Sequence, residues 1–208
     1  MSHLRPRGIA DRGAPAGSDD GGMQESVTGT LEQIDTWLAS HCPAVQSTLP
    51  APASSADLGH LEAVTGIRLL PQVQELYRWH NGSAGLPQPF WLAPDHGFLT
   101  LDDALDEWRT YNQVVAETFT DPAEAAWPWS RERLPIGSAW AGSILVVDHT
   151  PGPAQGSVFT VQHGTGARRN LGWPSIAVLL DELLTTLTTG APMRERTLTV
   201  GPDKLTGN

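Results

Sequence analysis

Three runs decide the fold: Ile144-Leu145-Val146-Val147-Asp148, Ser157-Val158-Phe159-Thr160-Val161-Gln162 and Ala167-Arg168-Arg169-Asn170-Leu171-Gly172. The first is continuously apolar with an acidic end. The second alternates, and the third is weaker. The links at 150–156 and 163–166 carry the Gly and Pro of hairpin turns, and no helix fits between the runs. Successive strands without intervening helices do not suit a doubly wound parallel sheet. They predict a mainly antiparallel one. Leu134-Pro135-Ile136-Gly137 precedes them and is given no strand of its own.

Helical periods surround this core. Leu31, Ile34 and Leu38 predict a helix over 30–40, with Thr30 and Gln33 at capping-box spacing. A Pro/Ala/Ser loop follows at 43–55. Leu58, Leu61 and Val64 predict a helix over 56–65 that starts behind Ser54 or Ser55, with Gly66 just past its end. Pro71 opens a third helix, which stops at His80-Asn81-Gly82, where Asn-Gly supplies positive φ. Short extended pieces are expected near 89–92 and 97–100. Leu101, Leu105, Trp108, Val115 and Phe119 mark the longest helix, 101–118, with Asp103, Asp106, Thr110, Gln113 and Glu117 opposite. The leucine-rich stretch 174–189 closes the series before Gly190. The expected fold is therefore α+β: a single domain with a central, mainly antiparallel sheet and packed helices. Its bounds read 23–190. Residues 1–22 are too poor in apolar side chains to order themselves and read as a disordered tail, with Met23 as a candidate start. Residues 191–208 read as a C-terminal tail in which 197–200 adds at most one strand.

Composition narrows the function. The 208 residues carry 13 Lys+Arg against 23 Asp+Glu, a net charge of −10. An acidic surface repels phosphate, so no nucleic acid is expected as partner. No apolar run approaches the length of a membrane span, so no membrane partner is expected and a cytoplasmic location is. The single cysteine, Cys42, excludes an internal disulfide. Between 95 and 124, Asp95, Asp102, Asp103, Asp106, Glu107, Glu117, Asp121 and Glu124 face only Arg109, a net of −7. That block reads either as a solvated helix face or as a patch steering a basic partner.

Signs of catalysis are weak. Asp148-His149 and His163 with Ser138 or Ser143 are the nearest approach to a triad, but no G-x-S-x-G elbow exists. Asp148 is expected to cap the turn after its strand, with His149 exposed. The seven histidines never stand at i, i+3 or i, i+4, so no metal or cofactor is expected. Gly164-Thr165-Gly166 lacks the G-K-[ST] ending of a phosphate loop. Trp127 and Trp129, with Arg131 beside them, are candidate anchors for a protein partner.

The order of these elements resembles the SUKH superfamily, the Smi/Knr type of cell-wall assembly regulator domain. The matching residues are the early helix with Trp37; Leu61-Glu62-Ala63-Val64-Thr65-Gly66-Ile67 leading to Leu70-Pro71; Glu75-Leu76-Tyr77 and Asn81-Gly82; Leu134-Pro135-Ile136-Gly137; Gly142 with Ile144–Asp148; Gly156-Ser157-Val158; and the helix Ser175–Leu187. The chain departs at Ser143, where the family usually has a polar Gly-Asp-type entry. The resemblance implies an α+β fold and no catalysis. Its bacterial members are largely immunity proteins that neutralise toxins, and its fungal members act as regulatory scaffolds. The first expectation is thus a toxin-immunity protein whose cognate toxin has a basic surface. A cytoplasmic regulatory module is the alternative, and a small hydrolase is a third reading. The partner-binding residues expected are Asp102, Asp103, Asp106, Glu107, Glu117, Trp127 and Trp129. Replacing Asp103, Asp106 and Glu117 by Asn or Gln should slow association with a basic partner and flatten its salt dependence. Unchanged association rates at low salt contradict this.

Overall fold

The computed structural model describes residues 26–83, 89–118, 130–139, 142–162, 168–194, 196, 198–201 and 204–207. A six-stranded antiparallel meander runs in chain order: β1 (Trp91–Ala93), β2 (His96–Phe98), β3 (Arg133–Ser138), β4 (Ser143–Asp148), β5 (Val158–Gln162) and β6 (Arg168–Trp173). Four helices precede it: α1 (Thr28–His41), α2 (Pro43–Gln46), α3 (Ser55–Thr65) and α4 (Pro71–Trp79). Helix α5 (Leu101–Thr118) is inserted between β2 and β3, and α6 (Ile176–Thr189) follows the sheet. This is the expected α+β architecture. The expected tail at 1–22 and the candidate anchors Trp127 and Trp129 lie outside the described residues.

Period two along the strands gives the sheet two buried faces. Leu145 pairs with Thr160 and Val147 with Val158; Ile144 pairs with Val161 and Val146 with Phe159. Leu145, Val147 and Val158 join the main core with Leu134, Ile136 and the helices α1, α4 and α6. Ile144, Val146, Phe159 and Val161 form a second cluster with Tyr111 of α5. That is why Ile144–Asp148 is apolar throughout. The alternation of Ser157–Gln162 is not an inside–outside pattern either, since Thr160 is fully buried.

Helix α6 lies across the main-core face and touches both edge strands, β1 and β6. Ile176, Leu179, Leu180, Leu183 and Leu187 are buried along it. Each such side chain contributes about 1.5–3 kcal/mol. Ser175 caps its start by accepting from the Val178 amide (3.3 Å), and Gly190, at φ 73°, ends it.

Several local expectations are corrected. Strand β3 was hidden by its own Pro and Gly. The β3–β4 register shifts between Pro135 and Gly137, a bulge that accommodates a residue without an amide proton. The loop at 43–55 contains one helical turn, α2. Val64 is 38% exposed rather than in the core. The Thr30/Gln33 capping box does not form. The start of α1 is instead held by Glu75 of α4, whose Oε2 accepts from the Val27 amide (2.7 Å) and from the hydroxyls of Ser26 (2.9 Å) and Thr28 (3.3 Å).

The chain beyond α6 is also pinned. Glu182 accepts from Trp173 Nε1 (2.6 Å) and from the Arg194 amide (3.0 Å), and the Arg194 guanidinium lies over the Trp173 ring. Met193 is fully buried, and Arg196 is ion-paired with Asp95 in the β1–β2 turn. Strands β7 (Leu198–Gly201) and β8 (Lys204–Gly207) then form a hairpin, so this segment carries two strands where at most one was expected.

The link between helices and sheet is the turn after α4. The Asn81 amide donates to Ala51 O (3.2 Å), and Asn81 Oδ1 accepts from the Leu101 amide at the head of α5 (3.0 Å). The Ser83 amide and hydroxyl both donate to Phe98 O (3.0 Å each). Gly82, at φ 79°, is pressed between them; a Cβ there would lie 2.4 Å from Thr100 N and 2.6 Å from Leu99 O. Gly66 has nearly the same φ, 74°, with open space around it. Gly66→Ala should therefore cost about 1 kcal/mol from backbone strain alone, and Gly82→Ala more than about 2 kcal/mol. Denaturant unfolding of the two variants measures this; equal losses would contradict the close packing.

Candidate functional site

Helix α5 buries Leu101, Ala104, Leu105, Trp108 and Tyr111 and turns its acids outward. Of the expected partner residues, Asp102, Asp103, Asp106 and Glu117 are exposed and Glu107 is half-buried. Their carboxylates are not equally free. Asp103 closes a capping box: its Oδ2 accepts from Thr100 Oγ1 (2.7 Å), which accepts in turn from the Asp103 amide (3.1 Å). Asp106 pairs with Arg109 at 3.1 Å, Glu107 accepts from Ser138 Oγ at 3.4 Å, and Glu117 accepts from Gln113 Nε2 at 2.8 Å. The capping oxygen belongs to Thr100, so neutralising Asp103 keeps the cap and removes a surface charge and the carboxylate that orients the Thr100 hydroxyl. Arg131, expected beside the anchors, lies over the Trp108 ring, and its carbonyl accepts from Trp108 Nε1 (2.9 Å).

Between α3 and the head of α5 lies a cleft of about 160 Å3, lined by Asp57, His60, Leu61, Asn81, Leu101, Asp102 and Leu105. Leu61, Leu101 and Leu105 are core residues whose edges give it an apolar side. Asp57 closes the capping box that Ser54 opens at the start of α3: its Oδ2 accepts from the Ser54 amide (2.8 Å) and hydroxyl (2.7 Å). These bonds hold the Asp57 carboxyl below its usual range, so it stays ionised. Helix periodicity showed the acids of α5, but not that α3 supplies a second wall, because that depends on how the two helices pack.

Of the candidate triad residues that are described, Ser143 is remote from Asp148 and His149. Ser143 and His149 stand at opposite ends of β4, about 20 Å apart at strand rise. Asp148 does cap the turn, accepting from the Thr150 amide (2.9 Å), and it also pairs with Arg133 across the strands (3.3 Å). His149 is not exposed as expected: it is 6% accessible, with Nδ1 donating to Val147 O (3.2 Å). His163 lies outside the described residues. Ser143 Oγ instead meets His96 Nε2 at 3.0 Å, while His96 Nδ1 donates to Pro94 O at 2.7 Å. The ring reaches from β2 to β4 over Gly137, where a Cβ would come within 3.3 Å of His96 Cβ. Both partners are nearly buried, and the neighbouring Ala139 and Gly142 amides already donate to backbone carbonyls. The contact braces three strands. Forty-seven residues and an intervening strand separate the pair, so no local motif announces it.

Among the described residues no three His, Cys, Asp or Glu side chains gather as metal ligands, and no helix is long and apolar enough to cross a membrane. Fold and site define an α+β domain with an antiparallel meander and an acidic outer helix flanking a small cleft. The SMI1 / KNR4 family (SUKH-1) matches residues 52–182, well over half of the chain, and the chain belongs to that family. A KNR4/SMI1 homolog of Yarrowia lipolytica (strain CLIB 122 / E 150) is 27% identical over 100 residues. The match covers 48% of this chain and 14% of that protein's length.

Burial lowers the pKa of His149. The unfolded chain then binds a proton near pH 6.5 that the folded chain refuses until lower pH. Stability contributed by the neutral ring is complete above that value and is lost as pH falls below it. His149→Gln should flatten the acid side of the stability–pH curve below about pH 6.5. Parallel curves for the two proteins would contradict the assignment.

Proposed function

We propose that this domain is a non-catalytic binding protein of the cytoplasm that neutralises a toxin by covering its basic surface. The observation that carries this reading is the outward acidic face of α5 on a chain of net charge −10. Complementary charge raises association rate and suppresses wrong partners. Membership of the family and the distance of Ser143 from Asp148 and His149 both support a binder over a hydrolase. A regulatory module is the second reading. It is favoured by the KNR4/SMI1 homolog, in which the matched stretch is only 14% of a much longer protein.

The test is to co-express the chain with the product of a neighbouring toxin gene and titrate that toxin's activity. Protection of the host, and loss of toxin activity ending at one equivalent without metal or nucleotide, is the expected result. No protection would refute the immunity reading and leave the regulatory one. Inactivation of many equivalents by a catalytic amount would return the enzyme reading.

A further inference from the structure

We propose that the cleft between α3 and α5 receives one arginine side chain of the protein partner. This deepens the binding reading and rests on it. At about 160 Å3 the cleft is smaller than the roughly 300–1,000 Å3 of small-molecule sites, and its size suits a single side chain. Leu61, Leu101 and Leu105 give it an apolar side, and its polar lining is Asp57 and His60 on α3, Asn81, and Asp102 on α5. That combination matches an amphipathic cation: methylenes on leucine, charge against carboxylate.

Arginine fits better than lysine. Its planar guanidinium presents five donors in a fork and is weakly hydrated, so it meets carboxylates on both helices with its stem still on the leucines. The polar lining is also preset. Asp57 is held by Ser54 and remains anionic, and Asn81 is fixed by its bond to the Leu101 amide. Among the described residues no hydrogen bond or ion pair occupies Asp102, in contrast to Asp103 and Asp106 farther along the helix. The −7 block around α5 attracts a cation broadly, and the cleft gives that attraction a place with shape.

The experiment titrates the isotopically labelled full chain with N-acetyl-Gly-Arg-Gly-amide and follows backbone amide NMR shifts. The lysine and citrulline versions of the peptide are run beside it. Saturable shifts confined to 57–61 and 101–105 are expected with arginine, weaker ones with lysine and none with citrulline. Asp102→Asn should weaken arginine binding about two- to fivefold. It should lower the thermal midpoint only slightly, since Asp102 contributes to α5 no more than an exposed first-turn charge. Equal shifts with arginine and citrulline, equal affinity for lysine, shifts spread instead along 106–117, or indifference to Asp102→Asn would each overturn the proposal. One-to-one neutralisation of the toxin alongside such a failure leaves the binding function standing on another surface.

Discussion

Asn81, Gly82 and Ser83 form the constraint on which the architecture depends. Three adjacent residues close contacts with three separate parts of the chain: Ala51 before α3, Phe98 at the end of β2, and Leu101 at the head of α5. The helices before the sheet and the helix inserted into it meet only if this turn takes one path. Positive φ at Gly82 and the bare Cα against Thr100 leave that path open to glycine alone. The same turn shapes the candidate site, because Asn81 both bonds the head of α5 and lines the cleft that α5 makes with α3. A packing device and a candidate recognition site therefore share one side chain.

The sheet is built for burial on both faces. Its central strands β4 and β5 give one row of side chains to the main core and another to the cluster around Tyr111. Such strands leave little room for polar chemistry. Two polar pairs brace the sheet: Arg133 with Asp148 across β3 and β4, and His96 with Ser143 over the gap left by Gly137. Solvated charge is found instead on the outer helix α5, where Asp102, Asp103, Asp106 and Glu117 are exposed.

Much of this was legible in the sequence, and what was not has physical causes. The strong periods gave α3, α4, α5, α6 and the strands β4 and β5, and helix-stop grammar located Gly66 and Gly190. Strand β3 escaped because Pro135 and Gly137 read as breakers until a partner strand supplies the bulge that uses them. The cap of α1 escaped because it comes from Glu75, far along the chain, and the burial of His149 because a strand-end histidine is exposed unless another loop covers it. Of the candidate site, the α5 carboxylates could be read from helical period. Which of them are already engaged, and that Asp57 stands across a cleft from Asp102, depend on tertiary packing. The resemblance drawn from motif order agrees with the family to which the chain belongs.

Hydrogen exchange of an Asn81→Ala variant tests the central claim most directly. If Asn81 joins the two helical units, the Leu101 amide loses its acceptor, and protection should fall together in the first turns of α5, at Ser83 and at Phe98. The α6 and β4–β5 amides should keep theirs relative to global stability. Loss of protection confined to the Leu101 amide, with Ser83 and Phe98 unchanged, would show that the turn does not couple the helices to the sheet.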